Sequence, residues 1–288
     1  MKHARFNPER FHKAQLPLYL FLFPLALFMA LPILFIVFHA FKPLDELFAF
    51  PPVFIPGHPT LQNFSDLFGQ IDKGGIPFSR YLANSLVVSL SVVVLSVLTG
   101  SLAAYALSKK KFGARSLLFE INTLALMFLP IAVTIPRYLV MSQLGILDTV
   151  FAHILPLLAM PVGVFLIKQF VDQVPDELIE AARIDGAGDA RIFFQVIVPL
   201  VAPALSTVAI LSFQAAWNNA ETSSLFVDGE DLKTLAFYLG TLASSSGTTV
   251  AGQGMAAAAS LLMFVPNLIV FIVFQGRVMN TMARSGIK

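Results

Sequence analysis

Six stretches of this chain run for about twenty residues with almost no charge, the length a helix needs to cross a lipid bilayer. They are residues 17–41, 82–107, 117–136, 150–170, 200–217 and 255–275. A backbone in hydrocarbon must satisfy its own N–H and C=O groups, so such runs fold as helices or as closed barrels. The apolar residues here are continuous rather than alternating, which excludes a barrel. Only 12% of the 288 residues are charged, against about a quarter in soluble domains. Mean hydropathy is +0.78. The expected fold is an all-α integral membrane protein with six transmembrane helices.

Lys2, Arg5, Arg10 and Lys13 precede the first run, which is too long and lacks a small-residue site for a cleaved signal peptide. It reads as an uncleaved signal anchor, bent by Pro24 and Pro32. Residues 42–80 are rich in proline and glycine and are expected to cap the outer mouth of the bundle. Lys109, Lys110, Lys111 and Arg115 follow the second run directly. There they read as a topology anchor rather than a nucleic-acid patch, and no nucleic-acid partner is expected. The third run is expected to end near Pro136. With the N-terminus inside, 14 Lys and Arg face the cytoplasm and 5 (Lys42, Lys73, Arg80, Arg137 and Lys233) face outward. The excess places both termini in the cytoplasm. The chain thus divides into 1–80 (tail, first span and outer loop), 81–276 (a five-helix core with a cytoplasmic loop at 172–198) and a 277–288 tail.

The longest polar interval between apolar runs reads as a helix, a turn and a second helix. Pro175 suits a first helical position, and Asp176 and Glu177 place negative charge at the positive end of the helix dipole. Asp176, Glu177, Glu180 and Arg183 share about a third of that helix's circumference. Ala181 and Ala182 beside them leave room for another surface. Gly186 can close the helix in the left-handed conformation, and Asp189 is expected to cap the next, Ala190 to Val198, which Pro199 stops. An acidic elbow of small residues on the inner membrane face reads as a docking element.

Reactive chemistry is missing. No glycine is followed directly by lysine, so the chain carries no phosphate-cradling loop. The five histidines are scattered, and His153 reads as a local hydrogen-bonder rather than a metal ligand. Zero cysteines exclude thiolate chemistry. Acidic or basic groups buried for ion coupling are nearly absent from the spans, which argues against a secondary carrier. Energy is therefore expected from a partner.

Glu180-Ala181-Ala182, three residues, Gly186, nine residues and then Val196-x-Val198-Pro199 resembles the cytoplasmic-loop signature of type I ABC importer permeases, with two apolar exchanges. Tyr81 to Leu86, Ala104 to Ser108, Ala181 to Ala187, Pro199-Leu200, Trp217-Asn218 and the Ser-Gly-Ile-Lys ending extend the likeness. They resemble the smaller permease subunit of maltose-type carbohydrate importers. Asn219-Ala220-Glu221 departs from that family's usual acidic-aromatic continuation. The resemblance implies half of a translocation pathway, assembled with a second permease, an ATP-binding pair that carries ATP and Mg, and an extracytoplasmic solute-binding protein. It implies a multi-pass protein of a bacterial or archaeal cell membrane that is not itself an enzyme. Glu180, Ala181, Ala182, Arg183, Asp185 and Gly186 would couple to the ATPase, and Arg284, Ser285, Gly286 and Lys288 would reach its interface. The polar stretch 218–254 would face the binding protein. Ser206, Ser212, Gln214, Asn218 and Asn267 are candidate pathway groups, or else helix–helix hydrogen-bonders. Trp217 reads as an interfacial anchor before a sugar platform.

Overall fold

The computed structural model describes residues 15–51, 53–69, 75–246 and 250–285, without the side chains of 243, 245–251 and 277–285. Among these residues the chain is mostly helical, with no strand, in the order α1 (Leu16–Ala40), α2 (Leu44–Leu47), α3 (Gln62–Gly69), α4 (Phe78–Lys109) and α5 (Arg115–Ala125). There follow α6 (Thr134–Gln143), α7 (Val150–Leu158), α8 (Pro161–Asp172), α9 (Asp176–Ile184), α10 (Asp189–Ile192) and α11 (Val198–Leu200). The last are α12 (Ala202–Trp217), α13 (Glu221–Leu225), α14 (Leu235–Ser246) and α15 (Val250–Ser285). The basic N-terminal tail through Lys13 lies outside the described residues.

The chain forms two compact units. The smaller comprises residues 1–67 and 246–261. Helix α1 continues unbroken through Pro24 and Pro32, and most of its side chains are exposed. Asn63 fastens the loop beyond it, donating from Nδ2 to the carbonyls of Ala40 (3.0 Å) and Lys42 (2.8 Å). A Cβ on Gly254 would stand 2.5 Å from Asn63 Oδ1, so a side chain there would displace the Asn63 amide. Glu46 accepts the amides of Gly57 and His58.

In the larger unit, residues 68–245 and 262–288, α4 packs along both α8 and α12. Small residues let these helices approach. A Cβ on Gly163 would meet Val208 at 3.2 Å, and one on Gly100 would meet Ile167 at 3.4 Å. Ala104, Ile167, Val171, Ala204 and Val208 are buried between them.

Three of the six expected spans differ from straight crossings. Only α1, α4 and residues 252–276 of α15 are single helices long and apolar enough to cross a membrane. The third run breaks by 112° between α5 and the segment from Pro130, the fourth by 47° between α7 and α8, and the fifth by 81° before α12. Proline explains the first two. Leu129 and Met160 each precede a proline and take non-helical ψ values of 133° and 80°. Pro136, expected to end the third run, instead sits in the first turn of α6, where its missing N–H has no intrahelical partner to lose.

Residues 218–246 form a folded cap rather than a loose polar loop. Thr222, Ser223, Phe226, Val227 and Leu235 are buried. Asp148, at φ 57°, accepts the amides of Asp228 (3.1 Å) and Gly229 (2.8 Å), and Ser85 Oγ accepts that of Leu235 (2.7 Å). His153 is buried and bridges Thr222 (2.8 Å) and the Leu232 carbonyl (3.0 Å), as a local hydrogen-bonder would.

Trp217 is neither an interfacial anchor nor an exposed platform. It is 1% exposed, stacks on Phe213 with centroids 5.7 Å apart, and donates from Nε1 to the Met263 carbonyl (3.1 Å). Trp217→Ala should cost about 3–5 kcal/mol. A fall in the detergent-melting temperature of the purified chain would register that loss, and an unchanged melt would contradict it.

Candidate functional site

The polar elbow begins where Pro175 turns the chain from α8, with ψ 137°, and leaves Asp176 and Glu177 in the first turn of α9. Proline therefore stands one residue before the helix rather than inside it. Ile179 is buried, and Ala182 and Ala187 pack against the cluster of Ile192, Phe193 and Ile197. These contacts choose which face of α9 turns outward. The exposed residues Glu177, Glu180, Ala181 and Ile184 fall at i, i+3, i+4 and i+7, one stripe along the helix. Ile184 is 87% exposed, an apolar side chain left in water beside two carboxylates.

Gly186 closes α9 at φ 80°, and Ala187 N–H reaches back to the Ala182 carbonyl at 2.9 Å. A side chain there would meet nothing within 4 Å, so the demand for glycine is conformational rather than steric. The second arm differs from expectation. Gly188, not Asp189, occupies the capping position, and α10 ends at Ile192. The chain then widens into a π-helical turn, Phe193–Ile197, and continues through Pro199 to Leu200. A proline ring clashes with the carbonyl four residues back, and the wider turn before Pro199 relieves that clash without ending the helix.

Asp189 instead accepts from Lys110 Nζ at 2.5 Å. Asp176 likewise is not a free member of the outward acidic face: Lys109 Nζ donates to its Oδ1 (2.7 Å) and to the Val174 carbonyl (2.6 Å). The hydrogen bond from Lys109 holds the Asp176 carboxyl below the usual carboxylate range, and that from Lys110 does the same to Asp189. Lys110 also lies over the Tyr105 ring, 5.6 Å from its centroid. The lysines that close α4 thus clamp both arms of the elbow. Arg183 stands 4.0 Å from Asp189 with both side chains more than half exposed, a contact of little weight. Glu177, Glu180 and Asp185 make no ion pair among the described residues.

Sequence reading missed the clamp. It took Lys109 and Lys110 for topology anchors, and their partners lie 67 and 79 residues away. The signal available was two adjacent lysines at the end of one helix and two aspartates opening the arms of the elbow.

The candidate pathway groups separate into two sets. Ser206 and Ser212 are buried and donate to carbonyls of their own helix, those of Ala202 (2.9 Å) and Ala209 (3.2 Å). Gln214 and Asn218 are exposed, and Asn218 meets Asn267 across the helices, with Asn267 Nδ2 donating to its Oδ1 at 3.1 Å. Arg284 and Ser285 end the backbone of α15, whereas Gly286 and Lys288 lie outside the described residues. Among the described residues no three histidine or carboxylate side chains converge to hold a metal ion.

Residues 96–276 match the family described as binding-protein-dependent transport system inner membrane component, a segment that contains the whole elbow and its clamp. The chain is 32% identical over 269 residues to the inner membrane ABC transporter permease protein YcjP of Escherichia coli K12, covering 92% of this chain and 94% of that one. It is 32% identical over 266 residues to the arabinooligosaccharides transport system permease protein AraQ of Halalkalibacterium halodurans, covering 92% and 93%. A bacterial ABC transporter involved in import of the acidic polysaccharide alginate contains a chain of the same fold. It superposes with a TM-score of 0.79 at 23% identity, over 93% of this chain and 99% of that one.

Proposed function

The chain belongs to the family of binding-protein-dependent transport system inner membrane components, and on that premise we propose that it is a permease subunit of an ATP-driven importer of oligosaccharide. It is a multi-pass membrane protein. The observation that carries the mechanism is the elbow. Its Glu177–Glu180–Ala181–Ile184 stripe is exposed, its arms are set by a left-handed glycine, and its inner side is clamped to α4.

Counting each bent helix pair as one crossing, the chain spans the membrane six times with both termini in the cytoplasm. The excess of Lys and Arg on that side supports this. The elbow then meets one ATP-binding subunit, with Glu180 and Ile184 entering its surface and the Arg284 end of α15 approaching it. ATP and Mg belong to that subunit. Closure of the ATP-binding pair presses on α9, and the clamp carries the displacement into α4 and the packed α8 and α12. A second permease completes the pathway, and an extracytoplasmic binding protein delivers the solute. The arabinooligosaccharide permease among its relatives supports carbohydrate as the solute class.

The test is reconstitution of the four components in proteoliposomes, with ATP-dependent uptake of oligosaccharide as the readout. Glu180→Ala should lower solute-stimulated ATP hydrolysis by about tenfold or more, the size of a lost coupling free energy of some 1–3 kcal/mol. Normal stimulation would reject the docking role. Uptake that persists without nucleotide would reject the importer itself.

A further inference from the structure

A second site lies away from the elbow, in the cap that follows Trp217. An open recess of about 740 Å³ is lined by Glu221, Ser224, Phe237, Gly240, Thr241 and Ser244, all within the larger unit. That volume falls in the range of small-molecule sites, about 300–1,000 Å³. Glu221 accepts one hydrogen bond, from Thr134 Oγ1 to its Oε1 at 3.2 Å, and has no ion pair among the described residues. The Thr241 and Ser244 hydroxyls donate to the carbonyls of Tyr238 (2.8 Å) and Gly240 (2.9 Å), which leaves their oxygens available as acceptors. Ser224 is exposed. Lys233, the cation beside Phe237, is engaged by Glu230 and by the Phe237 ring. The recess therefore offers a carboxylate, three hydroxyls and an aromatic ring, with no free cation among its lining residues.

We propose that this recess is a solute-contact site which this chain itself contributes to the pathway, and that it takes neutral or amino-sugar units while disfavouring uronates. The inference rests on the reading of the chain as a sugar permease. A carboxylate and hydroxyls accept the hydroxyl protons of a sugar, and an aromatic ring covers its C–H face. The same carboxylate repels a second one brought beside it. A subunit interface here would have to supply its own cation to Glu221, since this chain provides none among the described residues. Glu221 also marks the place where the chain departs from the usual family continuation after Trp217-Asn218.

The chain has no cysteine, so Ser224→Cys supplies its one thiol, and modification is read on this chain within the transporter assembled with its second permease and ATP-binding subunits. With each rate normalised to that of a free small thiol, a trimethylammonium methanethiosulfonate should be favoured over the sulfonate reagent by about tenfold, because a negative recess concentrates cations. Adding Glu221→Gln should bring the normalised ratio down towards one. In proteoliposomes, Glu221→Gln should raise uptake of trigalacturonate relative to maltotriose by about fivefold, the scale of one like-charge contact at about 4 Å screened by the water of an open recess. Gly240→Leu, at a helical position where a Cβ meets nothing within 4 Å, should fill the recess and slow both the modification and the uptake. Three results would overturn the site. One is a Ser224→Cys thiol silent in the complex yet reactive in the dissociated chain, which would assign the recess to the second permease. The others are a reagent ratio unmoved by Glu221→Gln, and an unchanged sugar ratio. If neither sugar enters, the reagent rates alone decide, since they need neither nucleotide nor solute. A failure of the importer reading is thereby separated from a failure of this one.

Discussion

Gly186→Pro abolishes solute-stimulated ATP hydrolysis by the assembled transporter and leaves the chain at its normal level in the membrane: that is the expected result. Proline holds φ near −65°, whereas this position requires 80°. The chain must leave α9 in another direction, the Ala187-to-Ala182 hydrogen bond is lost, and α10 no longer presents Asp189 to Lys110. The apolar runs that insert into the bilayer are untouched. Gly186→Ala separates conformation from bulk. Nothing within 4 Å opposes its Cβ, so its cost is the left-handed backbone alone, about 1–2 kcal/mol. Alanine should therefore retain partial stimulation and proline none. Equal activities in the two variants, measured as ATP hydrolysis with and without loaded binding protein, would show that the elbow angle does not matter.

Lys109→Ala is the second large effect. The side chain is 9% exposed and joins the end of α4 to both the Val174 carbonyl and the Asp176 carboxylate. Removing it frees the start of α9 from α4. Stimulated hydrolysis should fall by about tenfold, while basal hydrolysis by the ATP-binding pair persists. Asp176→Ala should do less, because Lys109 keeps its bond to the Val174 carbonyl. The opposite ranking would mean that the ion pair alone carries the connection. Because the Asp176 carboxyl is held below its ordinary range, the pair contributes fully above the unfolded value near 3.8 and is lost only as pH falls through the lower folded one. Coupling measured between pH 6 and 8 should therefore show no loss attributable to this clamp.

Much of this molecule was legible before any coordinates. Lipid leaves a backbone no water to bond, so about twenty apolar residues in a row announce a helix whatever their order. Gly186 was legible for a similar reason: a glycine just past an amphipathic helix answers a local steric demand, and local demands are written in adjacent residues. The elbow pattern and the family likeness from residue 80 onward were equally plain. The bends were not. Hydropathy is blind to a change of direction, and Pro136 is as compatible with starting a helix as with stopping one. Pro199 misled in the same way, because a π-helical turn absorbed the clash that should have ended the helix.

What the sequence by itself determined is the material of each segment: that it is helical, that it is apolar enough for a bilayer, and that one interval is an acidic elbow. Tertiary structure alone decided which side chains the elbow keeps for its own clamp and which it offers outward. It also decided that Trp217 is core, and that Glu221 opens onto a polar recess. Those outcomes depend on partners as far as 87 residues away in the chain, and such partners are chosen by how α4, α8 and α12 pack rather than by anything their neighbours in sequence can specify.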